Sequence, residues 1–388
     1  MYGRYALTLT GTILLCATCI VAIALLVDPY RLFPDVSRYG PDKPADLFYY
    51  LRLHKPYAIR RVKPDHLIVG SSRSARLAPA ELEAGGGVAY NAALPGASLE
   101  EVQRVIEHAH AQGGLRTVLF GVDYLMFANA PVLDPNVFVD ARWRRQDAGI
   151  SDRLGHAYQG VLDTWRSLFS VDVLVDIWYM LTADEANKRS QRTYSDDGTW
   201  ELTSTTRTEA QRVAFMARQV YGDLHENPDK YSLEGLASLL AFAAENDIEV
   251  MLFVSPRQAV HLQTLYLAGH WSRYQQWHRD IVAMADASDG KVTVFGIEDN
   301  PTLVLPALQP EGEPLFRDGI HYRRGAGEDM VACMLGPCDS PLRPTRLESA
   351  NVDNYLNALD ALRTRFLEES PDSARKLRKW LGLNKGGK

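Results

Sequence analysis

The chain opens with a long apolar segment. Residues 6–27, ALTLTGTILLCATCIVAIALLV, contain no charged side chain. At about 1.5 Å per residue, a helix over this run extends about 33 Å, which is enough to cross the hydrocarbon core of a bilayer. A cleaved signal peptide usually has a shorter apolar region followed by small residues, whereas DPYRLFP follows here. The pattern therefore predicts an uncleaved single-pass anchor over residues 1–28.

The charge and cysteine distribution favours one location for the rest of the chain. Arg4 precedes the apolar run, which favours a cytoplasmic N-terminus. We therefore expect an inner-membrane protein with a periplasmic main domain. Cys16 and Cys19 lie within the apolar run, whereas Cys333 and Cys338 are close enough in sequence for a disulfide in an oxidising compartment. No second Cys or His pair lies near them, so a metal site is disfavoured.

The composition limits the possible partners. Hydrophobic residues make up 46% and charged residues 23% of 388 residues, as in folded globular proteins. The formal net charge is −6, so the chain has no overall positive field to attract nucleic acid. We expect no nucleic-acid partner, and no motif indicates a cofactor.

Five short apolar runs follow the anchor, each bounded by Gly, Ser or charged residues. Such runs are typical of buried strands. They are HLIVG (66–70), VAYN (88–91), TVLFG (117–121), EVMLFVS (249–255) and KVTVFGI (291–297). Helical patterns separate the runs, including one that begins after Ser98, an N-cap candidate. Alternating strands and helices predict an α/β fold with a doubly wound, mainly parallel five-stranded sheet.

The spacing of these runs divides the chain. Residues 29–128 and 233–340 form two parts of one domain. Residues 129–232 are far longer than a crossover helix and contain many aromatic residues, so we interpret them as an insertion that caps one end of the sheet. The tail, 341–388, carries a helical pattern and a basic end. Such an end either contacts an anionic membrane or acidic partner, or is simply solvated.

Chemistry-bearing residues follow the predicted strands. In a doubly wound sheet, ligands bind beyond the carboxyl ends of the strands. The segments there are GSSRS, NAALPGAS, GVDYLMF and SPRQ, with LFRDGIHYRRGAG after the last strand. A serine hydroxyl becomes a nucleophile when a histidine accepts its proton, and a carboxylate fixes the histidine tautomer. The serine and the DGIH acid–histidine pair therefore predict acyl-transfer chemistry.

The motifs GSS, N-x-A-x-x-G, G-x-D and D-x-x-H, in this order, resemble the blocks of the SGNH/GDSL hydrolase superfamily. The resemblance covers about residues 29–128 and 233–335, with the long insertion outside it, and implies a flavodoxin-like sheet. It implies that Ser72 is the nucleophile, with Ser71 in place of the usual aspartate. Asp318 and His321 match the D-x-x-H block and would complete the catalytic set.

The same resemblance implies an oxyanion hole, with one departure. The amides of Ser72 and Gly96 would donate to the oxyanion, and Asn91 would brace the glycine turn. The superfamily usually has an asparagine in its third block, where this chain has Asp123. An ionised Asp123 cannot donate a hydrogen bond. Either Asp123 is protonated, or it has another role, or a different group donates to the oxyanion. Arg73 is a candidate to neutralise Asp123.

Two functions follow. The first is a membrane-anchored serine esterase or O-acyltransferase that acts on an ester-modified envelope polymer or exopolysaccharide. Membrane-anchored proteins with a GSSR start resemble partners of membrane O-acyltransferases, so such a partner is expected. The second is an inactive SGNH-like glycan-binding or scaffold component of an acylation or export system, favoured by Asp123. Arg257, in SPRQ, is a candidate for binding an anionic group; a structural role is the alternative.

Overall fold

The computed structural model describes residues 2–37, 47–128, 138–144, 149–182, 192–202, 207–226, 231–308 and 314–383. Within them the chain is an α/β protein with a mixed six-stranded sheet and a separate two-stranded hairpin. The strands are His66–Gly70 (β1), Ala89–Asn91 (β2), Thr117–Val122 (β3), Arg192–Tyr194 (β4), Trp200–Leu202 (β5), Glu249–Val254 (β6), Val292–Gly296 (β7) and Thr345–Leu347 (β8).

The main sheet has the strand order β2-β1-β3-β6-β7-β8. The first five strands are parallel and coincide with the five apolar runs, and their order is one of the two common doubly wound orders. The sixth strand, β8, is antiparallel to β7 and was not predicted. It is three residues long and lies at the sheet edge, and only Leu347 is buried. A strand with one buried residue needs no apolar run, so no sign of it is visible in the sequence.

Helices surround the sheet. They are Tyr2–Val27 (α1), Leu51–Val62 (α2), Ala80–Glu83 (α3), Leu99–His110 (α4), Tyr124–Ala128 (α5), Ile150–Phe169 (α6), Val171–Thr182 (α7), Glu209–Glu226 (α8), Glu234–Glu245 (α9), Ala259–Leu267 (α10), Trp271–Asp286 (α11), Pro301–Val304 (α12), Arg324–Leu335 (α13), Val352–Glu369 (α14) and Pro371–Trp380 (α15). As predicted, Ser98 caps α4: its hydroxyl accepts from the Glu101 amide, and the Glu101 carboxylate accepts from the Ser98 amide.

The sheet is buried on both faces. Leu67 and Val69 of β1 belong to one apolar cluster, whereas Ile68, between them, belongs to a second cluster. Successive strand residues point to opposite faces, so each cluster lies on one side of the sheet. Burial on both faces explains why the strands read as continuous apolar runs rather than alternating ones.

The N-terminal helix α1 is long and apolar enough to cross a membrane, and it is the one such helix within the described ranges. Its length and composition agree with the predicted single-pass anchor, and the periplasmic location of the main domain stays a prediction.

The insertion supplies α6, α7, the β4–β5 hairpin and α8. Much of the remaining predicted insertion, including 129–137 and 183–191, lies outside the described residues. The hairpin reaches the carboxyl edge of the sheet, where the Asp197 carbonyl accepts from the Asn91 amide at 2.8 Å. In the tail, Leu377 of α15 is fully buried while the neighbouring basic residues are exposed, so the apolar side of α15 packs on the protein.

Candidate active site

The segment that carries Ser72 begins where β1 ends. Gly70 has φ +135°, a conformation that L side chains rarely adopt. A Cβ atom there would overlap the Ser74 hydroxyl and the Gly121 carbonyl, so only glycine allows the ends of β1 and β3 to approach this closely. The chain then turns through a short 3₁₀ helix, Ser74–Arg76. Ser72 lies at this turn and is partly exposed.

Ser72, His321 and Asp318 form a continuous hydrogen-bonded chain. The Ser72 Oγ lies 2.8 Å from His321 Nε2. On the other side of the imidazole, His321 Nδ1 lies 2.8 Å from Asp318 Oδ2. Asp318 Oδ1 also accepts from the His321 amide at 2.9 Å, which fixes the carboxylate relative to the ring. Residues separated by 249 positions in sequence are thus in direct contact.

The electrostatics suit proton transfer from serine to histidine. Burial lowers the pKa of His321 from its usual 6.5, and this outweighs the opposing effect of Asp318. Burial alone would raise the pKa of Asp318, but the charge and hydrogen bonds of His321 hold it well below its usual value. At neutral pH the pair is therefore a carboxylate beside a neutral imidazole. The Nδ1–H of the imidazole donates a hydrogen bond to Asp318, which leaves the Nε2 lone pair facing Ser72.

Asp123 is buried and compensated. One carboxylate oxygen accepts from the Ser71 hydroxyl, and the other pairs with the Arg73 guanidinium. Arg73 also donates to the carbonyls of Ser255 and Pro256 beyond β6, and its Nε lies 3.1 Å from the Ile320 carbonyl next to His321. The Asp123–Arg73 pair therefore joins the ends of β1, β3 and β6 to the segment that carries the histidine.

Asn91 connects the serine segment with the glycine turn. Its amide nitrogen donates to the carbonyls of Ser74 and Leu77, at 2.8 and 2.9 Å. Its amide oxygen accepts from the Ala93 amide at 3.0 Å. Gly96 follows with φ +61°, in the left-handed region that favours glycine. Asn91 therefore fixes the start of the Gly96 turn relative to the segment after Ser72.

Lys55 is a structural residue of this region that the sequence did not indicate. It is fully buried, and its ammonium donates to the carbonyls of Asn91, Ala93 and Gly198, at 2.8, 2.8 and 3.2 Å. Three carbonyl acceptors match the three N–H donors of an ammonium group. Because α2, the glycine turn and the β4–β5 hairpin are distant in sequence, no local pattern could have predicted this contact.

Three further residues lie around Ser72 and Asp318. Arg76 Nη1 donates to the Ser72 carbonyl at 2.7 Å, and its guanidinium lies 5.4 Å from the ring centre of Trp200 on the hairpin. His261 is buried behind Asp318, with Nε2 3.1 Å from the Asp318 carbonyl. Arg76 stands four residues after Ser72, just past the GSSRS segment, so its position was a usable signal. His261 and Trp200 lie in segments without a motif.

The remaining predicted residues lie elsewhere or have structural contacts. Arg257 is buried, bonds Glu298 Oε1 through Nε at 3.1 Å and lies over Tyr274, so its side chain is engaged within the protein. Cys333 and Cys338 form a disulfide with a Cα–Cα distance of 5.1 Å. Among the described residues, no group of His, Cys, Asp and Glu is arranged to hold a metal ion. No family model, curated protein or solved structure matches this chain.

Proposed function

We propose that this protein is a membrane-anchored SGNH-type serine esterase or O-acyltransferase that works through an acyl-serine. The observation that carries the proposal is the chain of contacts Ser72–His321–Asp318, with 2.8 Å between Ser72 Oγ and His321 Nε2 and 2.8 Å between His321 Nδ1 and Asp318 Oδ2. These are the distances at which a base accepts a proton from a serine and a carboxylate orients that base.

The reaction has two halves. Ser72 Oγ attacks the ester carbonyl carbon while His321 Nε2 takes the hydroxyl proton, and Asp318 stabilises the imidazolium that forms. As the tetrahedral intermediate collapses, the C–O bond to the alcohol breaks and the imidazolium returns the proton to the leaving oxygen. In the second half, the oxygen of water or of a sugar hydroxyl attacks the acyl carbon while His321 Nε2 takes its proton. The bond between the acyl carbon and Ser72 Oγ then breaks, and the imidazolium returns the proton to Ser72 Oγ.

The oxyanion requires donors on the side of Ser72 away from the histidine. We assign this role to the backbone amides of Ser72 and Gly96, because backbone amides donate without any change of protonation. Asp123 has both carboxylate oxygens engaged, by Ser71 and Arg73, which supports a structural role for it. Because Arg73 compensates the negative charge of Asp123, the repulsion between Asp123 and an oxyanion at Ser72 is small. This weakens the case for an inactive binding module.

The anchor and the site are connected through the hairpin. Arg31, just after α1, pairs with Asp196 of the hairpin at 3.1 Å. The adjacent residues, Asp197 and Gly198, accept from the Asn91 amide and from Lys55. A site joined so directly to the end of α1 favours a substrate at the membrane surface. We therefore propose an acylated envelope polymer or exopolysaccharide as substrate, with a membrane O-acyltransferase as the partner that supplies acyl groups.

The test uses the full chain in detergent micelles, incubated with an activated aryl acetate. We expect mass spectrometry to find an acetyl group on a peptide containing Ser72, and to find none in Ser72→Ala or His321→Ala. Release of the acyl group to an added glycan, faster than to water, would establish transfer over hydrolysis. A folded wild-type chain that forms no adduct would overturn the enzymatic proposal and favour a binding module.

A further inference from the structure

The helix α6 has its polar side inward. Asp163 and Ser167 are buried, and Asp163 accepts from Arg142 at 2.7 and 2.8 Å and from Tyr57 at 2.8 Å. These contacts fix the rotation of the helix about its axis. The opposite side therefore faces outward, although a helix on a water-soluble protein normally turns its apolar side toward the core.

The outward side of α6 is a continuous apolar stripe. Its residues recur every three or four positions, which places them on one face of a helix. Each is exposed, from 37% for the last to 78% for the first: Ile150, Leu154, Tyr158, Val161, Trp165 and Phe169. The following helix, α7, adds exposed apolar residues to the same region, namely Val171, Leu174, Val175, Trp178 and Leu181. We call these eleven residues the α6–α7 face.

The position of α1 indicates what covers this face. Ala24 and Val27 of α1 pack in one apolar cluster with Val173 and Ile177 of α7, and α1 also contacts α6. The burial of α1 begins near Ala17 and recurs on one side to its end, a length of about 15 Å. If α1 spans a bilayer about 30 Å thick, α6 and α7 lie beside the half of the membrane nearest the main domain.

The residue types on the α6–α7 face agree with a position in the half of the membrane nearest the main domain. The α6–α7 face contains Tyr158, Trp165 and Trp178, and such amphipathic aromatic side chains are enriched at the membrane–water boundary. Beside the first turns of α6 lies a cavity of about 740 Å³, where basic side chains outnumber acidic ones: Arg60, Lys63, Arg144 and Arg153 against Asp140 and Asp152. Positive charge next to an apolar face complements the phosphate groups of lipids.

From the contacts of α1 and the inverted orientation of α6, we infer that the α6–α7 face is a second membrane element, immersed in the lipid leaflet nearest the main domain. The helix pair α6–α7 therefore lies beside α1 within that leaflet and does not cross the bilayer. The α6–α7 face contacts lipid rather than a protein partner. This contact fixes the main domain against the membrane, whereas α1 alone would leave it on a flexible tether.

The test measures the environment of single spin labels. Cys16 and Cys19 are first replaced by alanine, since they are free, and the full chain is placed in nanodiscs of phosphatidylethanolamine and phosphatidylglycerol. Nitroxides are then attached at Val161→Cys and, independently, at Val175→Cys. The matched control is Val88→Cys, another exposed valine, 44% accessible, in the main domain.

We expect labels at 161 and 175 to collide several-fold more with oxygen, which concentrates in lipid, than with a water-soluble nickel chelate, and the label at 88 to show the reverse. A label at Leu14→Cys on α1 shows whether the anchor is inserted. If that label is in lipid while those at 161 and 175 meet nickel as freely as the control, the inference is overturned, and the face then belongs to a protein partner absent from the nanodisc.

Discussion

The sheet edge that carries Ser72 and the α6–α7 face place polar and apolar groups in opposite ways. At the sheet edge, charged groups such as Arg73 and Asp123 are buried and each is paired. On α6, large apolar groups such as Trp165 are exposed. Burying a charge is costly unless it is paired, so the geometry of the sheet edge is closely determined. Exposed apolar groups need no partner in lipid. The apolar stripe on α6 therefore indicates the solvent around this helix and not a contact within the protein.

The largest expected effect separates the two adjacent serines at the sheet edge. Ser72→Ala removes the nucleophile and should lower turnover of an aryl acetate by a factor on the order of 10⁴ to 10⁶. Ser71→Ala, the matched control, removes a hydrogen bond to Asp123 and one from the Arg73 amide, and it should keep most of the activity. Equal losses in the two variants, measured by initial rates, would show that the hydroxyl of Ser72 has no special role.

The next effect concerns Asp318, the carboxylate that contacts His321. Asp318→Asn keeps the shape of the side chain but removes the charge that fixes the His321 tautomer, so kcat should fall by a factor on the order of 10³ to 10⁴ with KM little changed. Steady-state kinetics with the aryl acetate separate the two constants. A raised KM at constant kcat would instead assign Asp318 to substrate binding.

Stability should depend on the buried ion pair. Arg73→Met leaves Asp123 buried without its partner and should lower the free energy of unfolding by about 3–5 kcal/mol. The double variant Arg73→Met/Asp123→Leu should recover part of that loss. As a control, Arg375→Met breaks an exposed pair with Asp372 and should cost less than about 1 kcal/mol. Denaturant unfolding in detergent measures the free energy of unfolding of all three variants. Equal losses for Arg73→Met and Arg375→Met would show that burial of the Arg73–Asp123 pair does not make it more important than an exposed pair.

The sequence predicted the parts of the molecule that local patterns encode. Five strands were evident because strands buried on both faces are continuous apolar runs, and parallel strands bring their carboxyl ends to one edge. That rule was sufficient to expect Ser72 and His321 at the same edge, where the structure has them in contact. The edge strand β8 was missed, because three residues with one buried side chain give no pattern.

Other features depend on contacts that no local pattern contains. Lys55 joins α2 to residues near 91 and 198, and only the tertiary structure brings these carbonyls together. The stripe on α6 has helical periodicity, but periodicity does not say which face is turned inward. The contacts of Asp163 with Arg142 and Tyr57 decide that question, and they connect segments at least 21 residues apart.

Two leucines, one buried in the sheet and one exposed on α6, test whether the apolar stripe on α6 lacks contacts within the protein. Leu119 of β3 is fully buried, whereas Leu154 of α6 is 65% exposed. Leu119→Ala leaves a cavity in the core and should lower the free energy of unfolding by about 2–5 kcal/mol. Leu154→Ala should change it by less than about 0.5 kcal/mol in detergent. Similar losses for the two variants would show that the exposed stripe packs against something within the protein.

The smallest expected effect is a shift in pH dependence. Protonated His321 cannot accept the serine proton, so the rate of acyl-adduct formation should rise with pH and level off above the pKa of His321. Because burial lowers that pKa, the half-maximal rate should lie below pH 6.5. The positive charge of Arg76 lowers the pKa further, so Arg76→Met should move the midpoint to higher pH, while the exposed control Arg375→Met should leave it in place. A midpoint that stays fixed in Arg76→Met would mean that another group controls the rate, and that the buried charges at the sheet edge do not tune the base.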